Sequence, residues 1–259
     1  MIHKRMWELK QSASPGTLDL YIYGDVESDD PGGWFSDPKE SETSANALRD
    51  ALAQQPNAQQ INLYINSYGG SVFEGTAIYN QLRRHPAHKT AYIDGFACSI
   101  ASVIAMAADE IVMPRNAMMM IHNMWMGAVG NADELRKAAE DLDKINAAGR
   151  EAYLAKAGDK LSPEQLVEMQ NRETWLTAEE CMQYGLADRY ADKDADMSTA
   201  AAMLKGANEQ FAAQLAARAS LQAQMRALAA PRPEPHPPDA KAQSARPVNP
   251  IMKLFERSN

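Results

Sequence analysis

Short apolar runs and amphipathic stretches take turns along most of this chain, and that alternation restricts the fold more than any other feature. Leu18–Tyr23 alternates apolar and polar side chains and meets Gly24, the pattern of a half-buried strand. Ser44–Gln54 reads as a helix, Ile61–Ile65 as a strand, Val72–Arg84 as a helix and Lys89–Ile93 as a strand. Ser99–Ala108 is a helix of small residues, and Glu110–Met113 and Met118–His122 are strands. In Asp133–Leu154 the positions Leu135, Ala138, Leu142, Ile145, Gly149 and Ala152 recur three and four apart, one face of a long helix. Repeated strand–helix units imply parallel strands joined by right-handed crossovers, so an α/β layered fold is expected.

The pattern stops near residue 195, and so does the acidic character. The chain of 259 residues carries 26 Lys+Arg and 34 Asp+Glu, a net charge of −8. Residues 196–259 hold 8 basic and 5 acidic groups, leaving 18 and 29 for residues 1–195. Met197–Ala230 is rich in Ala, Gln, Leu and Met, strong helix formers, with a thin stripe at Phe211, Leu215, Ala219 and Gln222. Pro231–Pro238 is proline-dense, hence extended linker. The expected organisation is a folded domain over 1–195, a helical extension over 196–230 and a disordered tail over 231–259. Asp25–Glu42, with seven acidic residues against Lys39, reads as a loop.

Several function classes drop out. A net charge of −8 argues against holding nucleic acid. Cys98 and Cys181 form neither a disulfide framework nor a CxxC pair, and no metal-ligand cluster is visible, so neither metal nor cofactor is expected. The basic N-terminus has no apolar run behind it, and Ile100–Ala108, interrupted by Ser102, falls far short of the ~20 residues of a membrane span. A soluble, cytoplasmic protein is expected.

Three motifs carry chemistry. Asn66-Ser-Tyr-Gly-Gly-Ser71 joins an apolar strand to a helix, and its glycines allow backbone amides to face a negative oxygen. It lacks the Gly-Lys-Ser/Thr of a phosphate loop, and alone it equally fits a tight turn. Gly95-Phe-Ala-Cys-Ser99 places a serine at a helix start, where capping is its commonest role. Met118–His122 ends an apolar strand in a histidine, which alone fits a hydrogen-bonded core residue. All three fall at C-terminal strand ends, where open α/β sheets assemble their sites. Serine, histidine and a set of backbone amides are the equipment for acyl transfer.

In this order the motifs resemble the Clp protease proteolytic-subunit (ClpP) family. Tyr64–Ser71 matches its oxyanion turn, Gly95–Ser99 its nucleophile and Met120-Ile-His122 its base. Trp175–Asp188 matches the segment that follows its acid, and the likeness spans about residues 18–192. The resemblance implies a crotonase-like fold with the 133–154 helix as a protruding handle, stacked heptameric rings, and peptidase activity. It assigns Ser99 as nucleophile, His122 as base, Glu173 as orienting acid, and the amides of Gly70 and Ile100 as the oxyanion hole. Tyr68 occupies the family's usual proline position, Cys98-Ser99-Ile100-Ala101 replaces Ala-Ser-Met-Gly, and Glu173 replaces aspartate.

The acidic loop and the basic extension depart from a housekeeping ClpP. Similar ClpP-like proteins of tailed phages and prophages act as head-maturation proteases, which implies capsid or scaffold protein as substrate and a host cytoplasm or prohead as location. A housekeeping subunit with an ATP-driven unfoldase partner is the alternative. Further alternatives are a Ser–Lys peptidase, a crotonase hydratase or thioesterase, and a capsid scaffold whose site has decayed. Cys98 is a conceivable rival nucleophile, though beside Ser99 it should turn into the packing.

Overall fold

A computed structural model describes residues 10–11, 16–29, 41 and 44–193. The expected extension over 196–230, the tail over 231–259 and most of the acidic loop lie outside these residues.

The strands are β1 (Lys10–Gln11), β2 (Thr17–Val26), β3 (Gln60–Gly70), β4 (His88–Cys98), β5 (Glu110–Met113), β6 (Met118–Ile121), β7 (Thr174–Thr177) and β8 (Arg189–Tyr190). Between them run α1 (Ala45–Gln54), α2 (Val72–Arg84), α3 (Ile100–Ala105), α4 (Ala132–Ala157), α5 (Pro163–Asn171) and α6 (Ala178–Gln183). The sheet has the order β1-β2-β3-β4-β5-β8. From β2 to β5 neighbouring strands are parallel and consecutive in sequence, the layered α/β architecture that the alternation implies. Leu18, Leu20 and Ile22 of β2 and Ile61, Leu63 and Ile65 of β3 are buried in the core. The opposite face carries Tyr21, Tyr64 and Tyr92 as a row of stacked rings. No helix of the described residues is long and apolar enough to cross a membrane.

One strand forks, and the fork makes the site. Thr90–Tyr92 of β4 pairs with β5, whereas its last residues, Phe96–Cys98, pair with β6. The second half of β4 thus parts from β5, while Ala97 stays paired with Ser67 of β3, and it delivers the next residue, Ser99, beside β6. Antiparallel β7 closes the far side of β6.

Several expectations need correction. β2 does not stop at Gly24; it continues to Val26, and its register shifts between Tyr23 and Asp25. Gly24 has φ +86°, so it bends the strand where it was expected to end it. β3 runs on through Asn66–Gly70, with a register shift between Ile65 and Ser67. Helix α3 is confined to Ile100–Ala105, shorter than Ser99–Ala108. α2 has the expected bounds, begun by the Ser71 hydroxyl accepting from the Glu74 amide. The stripe of α4 divides in two. Leu135, Ala138, Leu142 and Ile145 are only half-buried, while Ala152, Tyr153 and Ala157 are buried against the domain.

Candidate active site

The end of β3 is built around glycine. Gly69 has φ +104° and Gly70 φ +137°, backbone that other residues avoid. A Cβ on Gly69 would lie 2.7 Å from the Cβ of Ser99, so this turn and the serine approach as closely as backbone allows. A Cβ on Gly70 would lie 2.2 Å from the Val26 carbonyl oxygen. Ser67 ties the turn down: its hydroxyl donates to the Gly24 carbonyl and accepts the Gly69 amide at 3.1 Å. The Ser71 amide donates to Val26 at 2.7 Å.

Ser99 sits at a sharp strand-to-helix elbow. Its φ of +53° with ψ −130° is a strained conformation for a residue with a side chain. The reading of Ser99 as a simple helix cap does not hold, because its side chain makes no capping bond. Instead Ser99 Oγ lies 2.7 Å from His122 Nε2. The Ser99 amide donates to the Met120 carbonyl at 2.8 Å, which locks the elbow in register with β6. Both side chains are half-buried, while the flanking Cys98 and Ile100 are buried. A serine hydroxyl held against a neutral imidazole can be deprotonated as it attacks a carbonyl.

Glu173 arrives from the other side of β6. Register pairs Ile121 of β6 with Thr174 of β7, so His122 and Glu173 each directly adjoin the last pair of that ladder. Glu173 also has positive φ, +52°, and its amide donates to the Gln170 carbonyl at 3.2 Å. Asp188, another acid of the matched segment, is committed elsewhere, accepting from the Lys156 ammonium and from the Ile111 amide, both at 2.7 Å.

Cys98 is fully buried, and burial pushes its thiol up to about 12, so it is no rival to Ser99. It packs with Phe96, Met120, Tyr68 and Met118. Tyr68, at the proline position, stacks on Phe96, which meets Trp175 edge-on. Burial likewise pushes the Tyr68 phenol up to about 12.

Sequence reading missed two residues that touch the elbow. Ser102 donates its hydroxyl to the Ser99 carbonyl at 2.6 Å, and Tyr153 of α4 meets the same hydroxyl at 2.6 Å. Ser102 has a local signal, three residues after the nucleophile. Tyr153 has none, since nothing in spacing links residues 51 apart.

The Clp protease family model matches residues 38–194, more than half of the chain and all of the elements just described from α1 onward. Among curated proteins, ATP-dependent Clp protease proteolytic subunit 3 of Rhodococcus jostii (strain RHA1) is 32% identical over 149 residues, 57% of this chain and 73% of that protein. Subunit 3 of Streptomyces coelicolor is 33% identical over 167 residues, 62% of this chain and 75% of its own. The proteolytic subunit of Deinococcus radiodurans is 33% identical over 162 residues, covering 60% and 78%. An elbow serine against a strand-end histidine, on a forked parallel sheet matched by this family's model, leaves one assignment: the chain belongs to the Clp protease family of serine-type peptidases.

Proposed function

We propose that this chain is an endopeptidase that works through an acyl-enzyme on Ser99. The 2.7 Å contact between Ser99 Oγ and His122 Nε2, at a strained elbow facing a glycine turn, is the observation that carries the reading. Ser99 Oγ attacks the peptide carbonyl while His122 takes its proton. The amides of Gly70 and Ile100 receive the oxyanion of the tetrahedral intermediate. His122 then gives the proton to the leaving amine, and water, deprotonated by the same imidazole, frees the acyl group. Glu173, which adjoins the end of β7 as His122 adjoins the end of β6, holds the ring's tautomer and favours its charged form. These steps call on no metal or cofactor.

The substrates we propose are capsid or scaffold proteins of a phage or prophage head, cleaved in the host cytoplasm or the prohead. The acidic 25–42 segment and the basic 196–259 extension support this setting, because both depart from the expected housekeeping chain. A second reading is favoured by the curated relatives, named as subunits of ATP-dependent proteases. There the chain would degrade proteins fed to it by an unfoldase. In both settings the active form is a ring-shaped homo-oligomer, heptameric by the family's pattern.

Co-expression with the major capsid protein encoded nearest to it separates the settings. A fixed new capsid N-terminus, absent with Ser99→Ala, supports head maturation. Intact capsid protein, together with casein degradation that needs an unfoldase and ATP, supports the second reading.

A further inference from the structure

We propose that Tyr153 and Ser102 are positioning residues that aim the Ile100 amide into the oxyanion hole; this rests on Ser99 being the nucleophile.

Counting protons sets the direction of the chain of bonds. The Ser102 hydroxyl has a single proton, and it goes to the Ser99 carbonyl at 2.6 Å. The 2.6 Å contact with Tyr153 is therefore a phenol O–H donating to Ser102 Oγ. Donation into Ser102 polarises its own O–H, so the second bond is stronger than an isolated one. Ser102 is fully buried and Tyr153 nearly so, with no solvent to replace either bond. Burial raises the phenol's pKa, so Tyr153 stays a donor throughout the working range.

The acceptor explains the purpose. The Ser99 carbonyl and the Ile100 N–H belong to one planar trans peptide, so holding the oxygen on one side aims the N–H to the other. That oxygen also accepts the Ser102 amide at 3.0 Å, which leaves the peptide's tilt to the second bond from the side chain. The elbow is strained at Ser99, φ +53°, and has cause to relax if the grip is loosened. Tyr153 lies in the buried half of α4, so the relay reaches the oxyanion donor from the long helix.

A fluorophosphonate probe reads the relay directly. Ser99 Oγ bonds to phosphorus as the P–F bond breaks, fluoride leaves, the proton passes to His122, and the phosphoryl oxygen enters the oxyanion hole. Tyr153→Phe removes only the hydroxyl and keeps the ring's shape, while Ser102→Ala removes the relay's centre. The expected result is a maximal labelling rate about tenfold lower for Ser102→Ala and several-fold lower for Tyr153→Phe, below the loss of a whole oxyanion donor. Half-saturating probe concentration should stay within twofold. The double variant should be no slower than Ser102→Ala, because Tyr153 acts through Ser102. Folded Tyr153→Phe labelling at the wild-type rate, or effects that multiply in the double variant, would overturn the relay while Ser99 remained nucleophile. An unlabelled wild-type chain would overturn the nucleophile reading and the relay with it. If Ser102→Ala fails to fold, Tyr153→Phe alone decides.

Discussion

Ser99 and Glu173 are the non-glycine residues with positive φ among those described; Ser99 contacts His122, and Glu173 adjoins the end of the β6–β7 ladder that His122 follows. Strain of this kind costs of order 1–3 kcal/mol per residue and persists where neighbouring structure enforces it. Here the neighbours are β4, β6 and β7: Ser99 follows the first, His122 follows the second and Glu173 precedes the third. Glu173→Gln should therefore leave circular dichroism unchanged and lower turnover by orders of magnitude, as neutralising a triad's orienting acid does. In the wild type, turnover should rise with pH on the acid limb, because His122 is competent only once its imidazole has lost its proton. A Glu173→Gln chain with wild-type turnover would remove this residue from the mechanism. Asp188 offers no replacement, bound as it is to Lys156 and the Ile111 amide.

Where the pattern in the sequence was local, the elements match it. Val72–Arg84 has apolar spacing, a serine cap and basic residues in its last turn, all within one helix, and it forms with those bounds. Where long-range contacts decide, the pattern was silent. Gly24 looks like a strand terminator, yet the pairing of β2 with β3 carries the strand through it. The Asn66–Gly70 segment looks like a turn, yet it is the end of β3, shaped by Val26 on one side and Ser99 on the other. The serine and histidine were legible because each ends a strand beside a recognisable motif; Tyr153 was not, because only the packing of α4 on α3 brings it to Ser102. The turn also permits a sharp test. Gly70→Ala puts a methyl 2.2 Å from the Val26 oxygen at a φ of +137°, where an L-residue is strained whatever the space. Peptide hydrolysis should fall at least tenfold, and the thermal midpoint should drop by several degrees. A fully active, equally stable Gly70→Ala chain would mean that the turn tolerates displacement and does not frame the oxyanion.

At the scale of the whole molecule, α4 has two halves with different partners. Its C-terminal half buries Ala152, Tyr153 and Ala157 in the chain's own core. Its N-terminal half leaves Leu135, Leu142 and Ile145 half-exposed, with Lys137 and Asp141 paired on the helix surface. The side chains that a handle helix between stacked rings leaves for a second copy are therefore those of the first half. Replacing Leu142 and Ile145 with Asp should leave the fold intact by circular dichroism, since neither is buried in the domain. In sedimentation the oligomer should fall to single rings or smaller. An unchanged large oligomer would show that this half of α4 is not an interface, and an unfolded product would place it in the core.

The most direct test of the central claim is where a fluorophosphonate probe attaches. Stoichiometric labelling mapped to Ser99, lost in Ser99→Ala and in His122→Ala, is the predicted result, and Ser99→Ala should cost ~10⁶ in turnover. A folded wild-type chain that takes up no label, or that is labelled at a residue other than Ser99, would contradict it.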